Sequence, residues 1–148
     1  MAILMAEDDD DDFELAMEAF KEANLLNPVK RVINGEELMN YLLMQGSFKD
    51  SKNAPRPFII LLDLNMPKKN GLEALKEIKD NPNLANIPIV ILTTSRAEED
   101  IIKSYTLGVN SFIRKPIKFD DLIRIVRVFK QYWLEVVEVP HQFRKPDA

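Results

Sequence analysis

Residues 61–67 read LLDLNMP. Two leucines lead into Asp63, and Asn65 and Pro67 follow it closely. Taken alone, this aspartate reads equally well as a strand end capped by a turn, because Asp, Asn and Pro are ordinary turn formers. The run that leads into it, FIILL at 58–62, is the most strand-like in the chain. It shows no polar alternation, so the strand it forms is covered on both faces. That favours a parallel sheet with helices on either side.

Outward from this strand, short apolar runs alternate with stretches of helical spacing. Before it come a candidate buried strand, AILMA (2–6), and a helical stretch over 13–24 carrying Phe13, Leu15, Ala16, Ala19, Phe20 and Ala23. A weaker strand over 29–33 follows Pro28, and a helix over 35–44 places Leu38, Tyr41 and Leu42 on one side. SFKDSKNAPRP (47–57) is polar and reads as a loop. Beyond LLDLNMP come a helix over 72–79, the apolar strand IVIL (89–92), a helix over 98–107 ended by Gly108, the short strand SFIR (111–114) and a long helix over 120–138. The extension at 138–148 is expected to be irregular. Five strands alternating with five helices predict an α/β fold, and 148 residues without repeat or boundary suggest a single domain over 1–148.

Composition narrows the function. Hydrophobic residues make up 46% and charged residues 30%, the balance of a folded chain rather than a disordered one. The formal net charge of −4 gives no support to a generic nucleic-acid binder, which carries a basic face. The sequence has no cysteine, which excludes disulfides, zinc–thiolate sites and cysteine nucleophiles and fits a reducing compartment. MAILMAEDDDDD holds too short an apolar run for a signal peptide, and no segment approaches the ~20 apolar residues of a membrane span. A cytoplasmic protein with neither a nucleic-acid nor a membrane partner is expected.

In open parallel sheets the reactive groups gather at the carboxyl ends of the strands. The residues that follow the strands are Glu7 and Asp8, then Asp63, then Thr93 and Thr94, then Lys115 and Pro116. If the strands take the order 2-1-3-4-5, these ends lie side by side. Clustered carboxylates raise one another's pKa unless a cation is bound, and oxygen-only ligands suit a hard ion, Mg2+ first. A carboxylate is also a competent nucleophile toward phosphorus. A metal would offset charge on the transferring group, while Lys and Thr would bind its remaining oxygens.

On these residues the sequence resembles the receiver domain of two-component response regulators, over about 2–137. The acidic pair, the aspartate of LLDLNMP, the hydroxyl of ILTTS and the lysine of KP arrive in the family's order, with 30 residues from Asp63 to Thr93 and 52 from Asp63 to Lys115. The resemblance implies a flavodoxin-like (βα)5 three-layer sandwich with a parallel five-stranded sheet in the order 2-1-3-4-5. It implies Asp63 as phosphoacceptor and Mg2+ held by Glu7, Asp8, Asp63 and the backbone carbonyl of Asn65. Thr93 resembles the switch hydroxyl that moves onto the phosphoryl group, and Lys115 the lysine that pairs with it. Phe112 stands where the family has an aromatic switch residue, and core packing explains it equally well. Pro116 stands where the family often has a cis lysine–proline bond. The donor implied is a histidine kinase. An aspartyl-phosphate phosphatase of the haloacid dehalogenase type competes, but it needs a second Asp two residues after the nucleophile, where Asn65 cannot titrate.

Two further expectations concern the acidic run and the last helix. Asp10, Asp11 and Asp12 read as acids favoured by the helix dipole at its N-terminus. Leu122, Val126, Phe129, Trp133 and Val136 form one apolar stripe of the long helix, while Ile123, Ile125, Val128, Tyr132 and Val137 are apolar beyond it. A stripe wider than one sheet contact points to an interface. A homodimer or a kinase-docking face is expected there, with Phe129, Tyr132, Trp133 and Val137 as contacts. No output domain is expected after the helix, so the receiver surface itself would signal. PRP before the strand, TTSRAEED and the ending YWLEVVEVP are similar to the small stand-alone response regulators that pair with phytochromes. An ordinary, non-photoreceptor kinase is the competing partner, and a phosphate-independent binding module the competing function.

Overall fold

The computed structural model describes residues 1–50, 52, 54–94 and 98–136. The strands are β1 (Ile3–Ala6), β2 (Val29–Val32), β3 (Ile59–Leu62), β4 (Ile89–Thr93) and β5 (Ser111–Arg114). They form one sheet in the order β2-β1-β3-β4-β5, and every pairing is parallel. The helices are α1 (Asp10–Glu22), α2 (Gly35–Leu43), α3 (Gly71–Asp80), α4 (Glu98–Thr106) and α5 (Phe119–Lys130). This is the flavodoxin-like sandwich.

The unbroken apolar character of β3 has a direct structural cause. Successive strand residues point to opposite faces. Ile60 and Leu62 enter a core layer with Leu38, Leu75 and Ile78 of α2 and α3. Ile59 and Leu61 enter the other layer with Ala16 and Phe20 of α1 and Val126 and Phe129 of α5. β1 and β4 are buried along their whole length in the same way.

Three local features differ from the sequence reading. α1 begins at Asp10 rather than 13, because Asp9 takes the N-cap position and its side chain accepts the Asp12 N–H at 2.9 Å. Aspartates carry no apolar periodicity, so this first turn left no trace in the hydrophobic pattern. The expected helix over 120–138 is α-helical only to Lys130, and Gln131–Val136 form a π-helical turn. The expected cis bond before Pro116 is not found: among the described residues every peptide bond is trans, the isomer that X–Pro bonds favour by ~0.5–1 kcal/mol. The polar stretch at 47–57 is also anchored at its start, where a 3-10 turn at Gly46–Phe48 sets the Phe48 ring 5.1 Å from that of Tyr41. Among the described residues no helix is long and apolar enough to cross a membrane.

Candidate functional site

The sheet ladder continues one residue beyond three strands, and this fixes the site. Glu7 N–H donates to Val32 O at 2.9 Å, Asp63 N–H to Ala6 O at 3.1 Å, and Lys115 N–H to Thr93 O at 2.8 Å. Their backbones are therefore held by strand pairing rather than by loops. Glu7 and Thr93 are fully buried and Asp63 is 5% exposed. Charges taken this far from water persist only when paired and hydrogen-bonded.

Lys115 supplies the pairing. Its Nζ contacts the Glu7 carboxylate and lies 3.0 Å from Asp63 Oδ2 and 3.1 Å from Asp12 Oδ2. The other Asp63 oxygen, Oδ1, accepts the Thr93 hydroxyl at 2.7 Å and the Asn65 N–H at 3.0 Å. The Thr93 hydroxyl thus already faces Asp63. The Asn65 side-chain amide lies at a longer 3.5 Å from the hydroxyls of both Thr93 and Thr94.

Burial pushes the Glu7 carboxyl up to about 8; Lys115 opposes this and the nearby Asp63 carboxylate adds to it. Burial also pushes Asp63 up, but the Asn65 N–H, the Thr93 hydroxyl, Glu7 and Lys115 outweigh it and leave Asp63 below its ordinary range. Lys115 is lowered by burial and raised further by Glu7 and Asp63, ending above its usual value. Seen from either carboxyl the direction agrees: the proton of the Glu7–Asp63 pair resides on Glu7, and Asp63 stays ionised.

Glu7, Asp8 and Asp63 each present an oxygen, and these atoms lie within 4.8 Å of one another. Asp8 is exposed and opens the cluster to solvent. Three hard oxygen donors, two of them buried, fit a divalent metal ion. The loop after Asp63 returns tightly into α3, where a Cβ added at Gly71 would stand 2.6 Å from both Asp63 O and Leu64 Cα. Asn70 and Glu73 close that helix start with a capping box.

The aspartate run does more than serve a helix dipole. Asp9 caps α1, Asp10 pairs with Arg31 at 2.8 Å and Asp12 reaches Lys115. Arg31 also donates from Nε to Glu7 O at 3.0 Å and lies 4.6 Å over the Phe13 ring. The sequence reading missed Asp12 and Arg31. No local signal in the sequence pointed to either contact, since Asp12 meets Lys115 from 103 residues away and Arg31 meets Glu7 from 24.

Phe112 is half-buried against the core layer of α2 and α3, and its N–H donates to Tyr105 Oη at 3.1 Å. Of the expected contact residues, Phe129 is only 7% exposed and belongs to the core layer of α1 and α5, Trp133 is partly buried against that layer and Tyr132 is 51% exposed. All three line an apolar groove of about 570 Å3 between β5 and α5, with Ile113, Ile125 and Val128. Val137 lies outside the described residues.

Comparison with known proteins shows the family and agrees with the fold. The family model for the response regulator receiver domain matches residues 3–127. Response regulator Rcp1 of Synechocystis sp. is 43% identical over 138 residues, covering 93% of this chain and 92% of Rcp1. The crystal structure of the Mn2+-bound form of Rcp1 superposes with a TM-score of 0.85 at 42% identity, covering 95% of this chain and 99% of that one. That of the phosphorylated cyanobacterial phytochrome response regulator RcpA gives 0.86 at 41% identity, covering 95% and 98%. The probable methanogenesis regulatory protein FilR2 of Methanothrix harundinacea is 38% identical over 133 residues, covering 89% of this chain and 83% of FilR2. The strand ends that gather Glu7, Asp63 and Lys115 all fall within the matched span, and the chain belongs to the response regulator receiver domain family.

Proposed function

We propose that this chain is a phosphorylation switch that accepts a phosphoryl group from a histidine kinase on Asp63. The observation that carries this reading is the state of that carboxylate. It is buried yet ionised, pinned on one oxygen by Thr93 and Asn65 and paired through the other with Lys115. An oxygen of Asp63 attacks phosphorus, the phosphorus–nitrogen bond to the kinase histidine breaks, and the imidazole leaves with the electron pair. Lys115 and Thr93 then bind oxygens of the transferred group. Glu7, Asp8, Asp63 and the backbone carbonyl of Asn65 would hold Mg2+, which supplies positive charge against that group when bound.

The added charge is read at a distance. Thr93 ends β4 and Phe112 lies on β5, so a change at the phosphoryl group reaches the surface of β4, α4, β5 and α5 through packing. That surface is also the proposed homodimer or kinase-docking face. Val128 is 61% and Tyr132 51% exposed beside the groove, more apolar surface than the sheet contact of α5 consumes. The residues proposed as contacts are Phe129, Tyr132, Trp133 and Val137. Nucleic acid and membrane are not partners in this reading, and the setting is the cytoplasm.

Likeness to RcpA supports a phytochrome as the kinase; the competing partner is a histidine kinase without a photoreceptor. Phosphotransfer from purified, autophosphorylated kinases of both kinds separates the two. Faster transfer from the phytochrome kinase, lost in Asp63→Asn, is the expected result. Transfer from neither, with partner affinity indifferent to phosphorylation, would leave a phosphate-independent binding module.

A further inference from the structure

Lys115 is held by three carboxylates, and an ammonium has three hydrogens to give. The three partners are not equivalent. Glu7 and Asp63 belong to the oxygen cluster that fits a metal ion, and Asp12 does not. Phosphoryl transfer turns one Asp63 oxygen into the bridging oxygen of an acyl phosphate, a mixed anhydride, and a metal ion competes for Glu7. Asp12 is the partner that neither event consumes. Both ends of this pair are fixed: Asp12 lies in the first turn of α1, where its N–H is capped by Asp9, and Lys115 N–H is bonded to Thr93 O. The Asp12 side chain is 39% exposed, against 1% for Glu7 and 6% for Asp63, so it stands at the mouth of the site.

We propose that Asp12 is a positioning residue that anchors the Lys115 ammonium on the phosphoryl group while the metal and the acyl phosphate occupy its other two partners. The proposal rests on the phosphoacceptor reading of Asp63. In the forward step the Asp63 oxygen–phosphorus bond forms as the donor's bond to phosphorus breaks, and the donor leaves with the electron pair. In hydrolysis a water oxygen bonds to phosphorus, the bond to Asp63 breaks, the carboxylate takes its electron pair back, and the water's proton passes to solvent. The same lysine stabilises the same phosphoryl oxygens in both steps. Loosening it therefore slows both. A mere field effect would act in the opposite sense on the forward step, because removing a negative charge at the mouth speeds the approach of an anionic donor.

The test uses the full chain with saturating Mg2+ and a small acyl phosphate donor, followed by intact mass, then donor removal to follow hydrolysis. Asp12→Ala is expected to slow both formation and hydrolysis by about 3–10-fold, a small loss of orientation, with the thermal midpoint and Mg2+ affinity retained. Asp12→Glu is expected to restore part of both rates, and Asp12→Asn, which keeps the shape, serves as the control for folding. Unchanged rates in Asp12→Ala, or faster formation, would overturn the role of Asp12 while wild-type uptake leaves Asp63 as the acceptor. No uptake by the wild type would overturn the phosphoacceptor reading and this proposal with it.

Discussion

Two regions of this molecule are built on opposite terms. At the carboxyl edge of the sheet, Lys115 faces three carboxylates, and Asp63 has a donor or cation on each oxygen. On the outer face of β5 and α5, Val128 and Tyr132 stand exposed beside an apolar groove. The first region concentrates its energy in a few directed contacts whose geometry the strands dictate. The second spreads weak, undirected attraction over an area, which has effect only when another surface covers it. A substitution at the edge should therefore change chemistry with one atom, and a substitution on the face should change assembly while leaving chemistry alone.

The sharpest way to break this contrast is Lys115→Met. It removes the cation from the phosphoryl oxygens, and loss of one such donor costs about 10²–10³-fold in rate. Initial rates of phosphoryl uptake at saturating Mg2+ check it, and a normal rate would show that the directed contacts are dispensable. Gly71→Ala comes next. Its Cβ would meet the backbone of Asp63 and Leu64 at 2.6 Å, so the loop must shift, at about 1–3 kcal/mol of stability by urea unfolding, with slower uptake. Thr93→Ala removes the 2.7 Å bond to Asp63. A hydrogen bond to an ionised group is worth ~1.5–3 kcal/mol, of which only the part strengthened in the transition state reaches the rate. Uptake should slow about tenfold. The smallest effect on the fold is expected from Val128→Asp, within about 0.5 kcal/mol by urea unfolding. Phosphoryl uptake should stay normal, while sedimentation should show loss of the proposed dimer; loss of uptake here would merge the two regions.

How much of this was legible in the sequence follows the same contrast. The sheet was legible because β3 and β4 are apolar without alternation, and only a doubly covered strand tolerates that. The acids and the lysine were legible because they sit one residue past strands whose ends were visible. Asp12 and Arg31 were not, because each acts across a gap that only the fold closes. Lys115 and Asp12 lie 103 residues apart in the chain. Five aspartates in a row are also identical in composition and differ only in where the helix start aims each one. The end of α5 was hidden because apolar residues run on past Lys130 with no Gly or Pro to mark a change, so nothing local signalled the π-helical turn. The isomer before Pro116 was beyond reach for a simpler reason: the two forms differ by only ~0.5–1 kcal/mol.

The central claim is that Asp63 is the group that the buried edge exists to hold. The measurement that tests it most directly is intact mass after incubation with Mg2+ and a small phosphodonor, with Asp63→Asn alongside. The account predicts that the wild type gains one phosphoryl group and Asp63→Asn gains none. Equal uptake by both, or none by the wild type with divalent-metal binding confirmed, would contradict it.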